Sequence, residues 1–157
     1  MIDVSIDDSR IMLRLDKMSE NIHANIIAET ISLQLAIRNY IITNLLSGQL
    51  LNHQTGKLWS SIFTPPVEDS GTSVVGSVLQ QGSIAPYGAR LNDGGPGYDI
   101  FPKTAKALKF TIGGQEIFAK VVHMPAFEGR QYMQTGLRDN VQAIVDGMTA
   151  AVLKGAQ

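Results

Sequence analysis

Residues 2 to 6, IDVSI, alternate strictly, with Ile2, Val4 and Ile6 on one side and Asp3 and Ser5 on the other. That is the period of a half-buried strand. Asp7, Asp8 and Ser9 follow with capping side chains and negative charge suited to a helix start. The apolar spacing then changes to three and four. Ile11, Leu15, Met18, Ile22 and Ile26 open a helical pattern that runs to Leu46, where Ser47-Gly48 ends it. A polar cluster from Lys17 to Asn21 predicts a break or bend. Two apolar rows follow: Ile22, Ile26, Leu33, Ile37 and Ile41, and Ile27, Ile31, Leu35, Ile42 and Leu46. A helix apolar on two sides is covered on two sides. One cover is the sheet of its own domain; the other is the C-terminal helix or a neighbouring subunit.

Thr55 can cap a short helix carrying Leu58, Trp59, Ile62 and Phe63, which Pro65-Pro66 bars from continuing. Residues 72 to 80 read as a strand. The segment APYGARLNDGGPGYDIFP reads as a long loop with one helical turn at Tyr87 to Leu91, and its glycines after Asn92 predict no regular element. ALKFTI, Gly113-Gly114 and QEIFAKVV form a β-hairpin pattern with a primed turn. In VVHMPAFEGRQYM the strand is expected to end at Val122, because a ladder does not pass the proline, and a helix to begin near Arg130. From there Met133, Leu137, Val141, Ile144, Met148 and Val152 keep helical spacing. Arg130 sits badly at a helix start for the dipole, so an acidic group or a carbonyl is expected to meet it, in its own chain or in the next. The order predicts an α+β fold: an antiparallel sheet with a long N-terminal helix and an amphipathic C-terminal helix packed on one face. Nothing marks a boundary within residues 1–157, so a single domain is expected.

Composition narrows the function classes. With 157 residues the chain can bury a core without staples. It has no cysteine, which excludes disulfides and thiolate chemistry. The net charge of −1 gives no general attraction to nucleic acid or anionic membranes. No stretch has the length and apolarity of a membrane span. His23, His53 and His123 lack metal-site spacing. Ser60-Ser61 lacks the pattern around a nucleophilic serine, and NDGGPG lacks the ending of a phosphate loop. Catalytic, cofactor and metal residues are therefore expected to be none. Lys103, Lys106 and Lys109 read as a solvated strand edge or as a positive stripe facing a partner.

Four stretches, taken in order, resemble the neck and tail-completion proteins of long-tailed bacteriophages. They are TGKLWSSI at 55 to 62, YGARLNDGG at 87 to 95, PKTAKALKF at 102 to 110, and IFAKVVHMPAFEGRQYM at 117 to 133. The resemblance implies a structural virion protein, assembled in the host cytoplasm. It implies a homo-oligomeric ring, six-fold in most members, between the head-completion or connector protein and the tail terminator or tail tube. Genomic DNA would pass through without specific binding, and neither cofactor nor membrane is implied. A tail terminator capping the tube is the near alternative. A small cytoplasmic hydrolase and a DNA-binding module are the rivals from other classes. On this reading the candidate subunit-interface residues are Ile31 and Leu35 on the second helix row, and Tyr98, Ile100 and Phe101 as anchors of a glycine-loop docking arm. Lys103, Lys106 and Arg130 complete the set.

Overall fold

The computed structural model describes residues 9–48 and 56–157. The strand expected over residues 2 to 6, the capping residues Asp7, Asp8 and Thr55, and His53 lie outside them. The elements are α1 (Ser9–Tyr40), continued by a π-helical turn (Ile41–Leu45), α2 (Lys57–Ser61), β1 (Ile62–Phe63), β2 (Glu68–Asp69), β3 (Val74–Val75), β4 (Leu79–Gln80), α3 (Gly88–Asp93), β5 (Gly94–Gly95), β6 (Tyr98–Ile100), β7 (Leu108–Ile112), β8 (Gln115–Ala119), β9 (Val122–Met124), β10 (Phe127–Glu128), α4 (Tyr132–Asp139) and α5 (Val141–Gly155). The fold is α+β, and every strand pair is antiparallel. The expected sheet is divided: the pairs β1–β4, β2–β3, β5–β10, β6–β9 and β7–β8 stand as separate two-stranded ladders.

The chain forms two compact units, where no boundary was visible in the sequence. One comprises the residues up to Pro86 together with Tyr132–Gln157; the other is Tyr87–Gln131.

In the first unit α1 is an unbroken helix of 32 residues, about 48 Å long. The bend expected at Lys17 to Asn21 does not form. No glycine or proline interrupts the segment, and Lys17, Met18 and Glu20 are good helix formers that outweigh the small penalties of Ser19 and Asn21. The helix ends as expected at Ser47-Gly48, after a wider turn in which Leu46 N–H donates to Ile41 O at 3.0 Å. Gly48 leaves at φ 124°. The core gathers at this end of α1, where Ile37, Ile41, Leu45, Leu46, Ile62 and Tyr132 are buried. Trp59 Nε1 donates to Leu46 O at 3.1 Å and Arg38 Nε to Ile62 O at 2.8 Å, so α2 and the strand that follows it are tied to the long helix and its π-helical end by polar bonds as well as packing.

The C-terminal helix starts at Tyr132, not Arg130, because Gln131 takes a positive φ of 48°. It is also two helices. Asn140 leaves helical geometry at φ −106° and its side-chain amide donates back to Gly136 O at 2.8 Å, a local bond that competes with the helical ladder. α5 then runs antiparallel to α1, with Gly147 against Glu29 and Gly155 against Ile22. The strand expected over 72 to 80 is split into β3 and β4 at Gly76. A Cβ there would stand 2.6 Å from Thr30 Cγ2, so the glycine lets this segment cross close over α1.

In the second unit the hairpin forms as expected, with Leu108 opposite Ala119 and Ile112 opposite Gln115. Gly113 and Gly114 take φ 58° and 85°, the values a primed two-residue turn requires. Two other expectations are corrected. Gly94 and Gly95 are paired with Glu128 and Phe127, not left as free loop. A Cβ on Gly94 would stand 2.4 Å from Gly129 N, and one on Gly129 would stand 2.2 Å from Asn92 O, so two glycines permit this backbone crossing. The return strand expected to end at Val122 stops at Ala119, and a separate strand, β9, begins at Val122: Val122, His123 and Met124 pair with Ile100, Asp99 and Tyr98, and Pro125 follows the ladder.

Candidate subunit interface

The expected interface residues fall in both units. On α1, Ile31 and Leu35 are 43% and 44% exposed, and each lies on the row that the chain itself leaves half uncovered. In the second unit Tyr98 and Ile100 belong to β6, so the docking arm expected of the glycine loop is held in a ladder. Arg90 reinforces this. Its guanidinium lies over the Tyr98 ring at 4.4 Å and the Phe127 ring at 5.1 Å, and Nη2 donates to Pro96 O at 2.6 Å. Phe101, 63% exposed, is the part of the expected arm that remains open. Lys103 and Lys106 are exposed. Lys109 instead meets Glu116 at 2.6 Å on the neighbouring strand. The Arg130 N–H donates to Leu91 O at 2.8 Å; the acidic group or carbonyl expected for its side chain is not found among the described residues.

The two described histidines each meet an aspartate. His23 Nε2 lies 2.9 Å from Asp69 Oδ2, and His123 Nδ1 lies 2.6 Å from Asp99 Oδ1 across the β6–β9 ladder. Asp69 also accepts the Gly71 N–H at 2.8 Å, and that bond, with His23 second, holds its carboxyl below the ordinary value. Tyr40 Oη donates to Asp139 Oδ2 at 3.0 Å, which raises the Tyr40 phenol. Among the described residues no group of three or more histidine, aspartate and glutamate side chains is placed to hold a metal ion. No described helix is long and apolar enough to cross a membrane.

Two features were not singled out in the sequence. The start of α1 carries Met12, Leu13 and Leu15 more than half exposed. The first unit also has an apolar groove of about 550 Å³ walled by α1, the β3–β4 segment, α4 and α5. Gln34 lies in its wall, 7% exposed, and its side-chain oxygen has no partner among the described residues. The signals were there: an apolar stripe that starts well before the part of the helix needing cover, and a glutamine set between Leu33 and Leu35.

No protein-family model, no curated protein and no solved structure matches this chain.

Proposed function

We propose that this chain is a structural virion protein of a tailed phage, assembling with copies of itself as a ring in the neck that joins the head connector to the tail. The observation that carries the assembly is uncovered surface. Among the described residues Met12, Leu13, Leu15, Ile31, Leu35, Phe101, Ile112 and Phe118 are all exposed. Apolar surface on this scale marks a protein that other protein covers.

The neck position rests on the ordered motifs, and the structure gives them architectural work. In TGKLWSSI, Ser61 and Ile62 are fully buried, and Trp59 bonds the end of the long helix. In YGARLNDGG, Gly88 and Asn92 are buried, Arg90 is stacked between two rings, and Gly94 makes a backbone crossing. PKTAKALKF leads into the hairpin. Each motif residue so placed is explained by packing. A near-neutral chain lining a conduit would let DNA slide without gripping it.

Mass measurement with negative-stain microscopy tests the ring. Closed rings of the purified protein are expected, and isolated 17.0 kDa particles at high concentration overturn the proposal. Antibody labelling of virions tests the place: label at the head–tail junction is expected, and label elsewhere or on no particle refutes it.

A further inference from the structure

The β7–β8 hairpin is the longest ladder of the fold, five residues on each strand, where the other four ladders have two or three. It also stands alone: among the described residues no third strand pairs with it. A lone hairpin is marginal in water and gains from a third strand. Its two-residue turn fixes which backbone groups are used inside. Ile112 and Gln115 close the turn, so Phe110 with Ile117 and Leu108 with Ala119 also exchange bonds within the hairpin. The N–H and C=O of Lys109 and Thr111 therefore point outward from β7, and those of Glu116 and Phe118 outward from β8. No other backbone group meets any of the four among the described residues.

The β7 edge has two unlike faces. Leu108, Phe110 and Ile112 share one side, and Ile112 is 61% exposed. Lys109 and Thr111 share the other, both exposed, and the exposed Lys103 and Lys106 precede them. Lysine deters indiscriminate pairing at such an edge. A strand that fits has apolar residues alternating with polar ones, and acid on its polar side. The described strands are already paired, and two stretches lie outside the described residues, 1–8 and 49–55. QLLNHQT in the second neither alternates nor carries an acid. IDVSIDD in the first has Ile2, Val4 and Ile6 on one side, Asp3 and Ser5 on the other, then Asp7 and Asp8. We propose that residues 2–6 of another copy of this chain add to the outer edge of β7 as an antiparallel third strand. Val4 then lies beside Phe110, Ile2 beside Ile112 and Ile6 beside Leu108, which covers the apolar side. Asp3 falls opposite Thr111, and Ser5 opposite Lys109, whose charge Glu116 already meets. Asp7 and Asp8 run on towards Lys106, whereas a parallel strand would carry them past Ile112, away from the lysines. The β8 edge is refused, because Glu116 stands on its polar side. The choice of another copy rests on the assembly proposed above; the match of strand to edge does not.

The chain has no cysteine, so introduced thiols are the only ones. Asp3→Cys and Thr111→Cys are made in separate chains, and circular dichroism checks that both fold. Mixed and oxidised under assembly conditions, they are expected to give a disulfide between the two peptides, identified by mass spectrometry, since residues facing each other across a ladder stand about 5.5 Å apart at Cα. Asp3→Cys mixed with Glu116→Cys is expected to give background only, because one strand further, about 10 Å, is beyond a disulfide's reach. Ser5→Pro removes an N–H aimed at β7 and is expected to cut the mixed link about tenfold or more. On assembly of the wild-type chain the Lys109 and Thr111 amides should exchange about tenfold more slowly or better, and those of Glu116 and Phe118 should not. Assembled protein without the mixed link or without the slowing at Lys109 and Thr111, an equal yield with Glu116→Cys, or a link formed only inside single chains of the Asp3→Cys/Thr111→Cys double variant overturns the proposal. The wild-type mass separates it from the ring. The link in a two-chain particle keeps the added strand and refutes the ring; a closed ring without the link keeps the ring and refutes the strand; a monomer at all concentrations refutes both.

Discussion

Glycines 147 and 155 both face α1 from α5, and they differ in what a methyl group would strike. At Gly147 it would meet Glu29 Oε1 at 2.4 Å, the free end of a flexible side chain. At Gly155 it would meet the Ile22 backbone, Cα at 2.5 Å and N at 2.6 Å. Gly147→Ala is therefore expected to stabilise by up to about 1 kcal/mol through helix propensity. Gly155→Ala should destabilise by about 1–3 kcal/mol, since the two helices must separate. Thermal unfolding of the two variants checks the opposite signs. Asp69 makes a second residue-scale prediction. Its carboxyl is held below the ordinary value of 3.8, by the Gly71 N–H first and His23 second. The ionised form is favoured in the folded state, so its contribution is present above that ordinary value and lost as pH falls through the folded one. Asp69→Asn keeps an acceptor for Gly71 and removes the charge. The stability gap between wild type and variant should be steady near neutral pH and close in acid, as urea titrations at several pH values would show. Neither the two glycines nor Asp69 was singled out in the sequence. The glycine contacts and the His23 partner of Asp69 depend on which residues of α1 lie opposite, a long-range fact that local spacing does not carry, whereas the Gly71 N–H that Asp69 accepts is local.

At the scale of elements, what was legible was local. The β7–β8 hairpin is written in a run of alternating residues around Gly113-Gly114, and both turn glycines have open space beside them. Any substitution there acts through backbone conformation alone. Gly113→Asn should be nearly neutral, while Gly113→Val should cost about 1–2 kcal/mol, because only the first tolerates the left-handed region. Hydrogen exchange at Phe110 and Ile117 reads the difference. The elements that departed from expectation did so for tertiary reasons. Gly76 splits a strand because Thr30 and Gln34 occupy the space beneath it. β9 extends to Met124 because β6 is there to pair with it. Asn140 divides the last helix through its bond to Gly136 O, although the apolar spacing runs across the break undisturbed.

For the whole molecule, α+β composition and the two-sided apolarity of the long helix could be read from periodicity. The division into two units could not, because the crossings from Pro86 to Tyr87 and from Gln131 to Tyr132 carry no change in composition. The helix row Ile31 and Leu35 now supports a sharper expectation. Both side chains are more than two-fifths exposed in the single chain, so Ile31→Asp and Leu35→Asp should leave monomer stability within about 0.5 kcal/mol, as surface substitutions do. Assembly should fail, since an unpaired charge is costly once buried. Sedimentation beside thermal unfolding checks both halves; intact assembly in both variants would place this row at the solvent.

The inserted unit has a consequence for the gene as much as for the protein. It begins after Pro86 and ends before Tyr132, and the flanking Ala85 and Tyr132 are both fully buried. Ala85 O accepts from Gln80 Nε2 at 2.9 Å within the interrupted unit, a clamp at that splice point. The segment between Ala85 and Tyr132 behaves as a cassette that could be lengthened, exchanged or cut out while the clamp holds. Replacing Tyr87–Gln131 with a flexible glycine-serine linker is expected to leave a folded host retaining the circular dichroism of α1, α4 and α5, because closing a loop depends only weakly on its length, about 0.6 kcal/mol per doubling. Relatives of this chain would then be free to diverge most between these two buried residues, changing what the protein docks against without refolding how it is built.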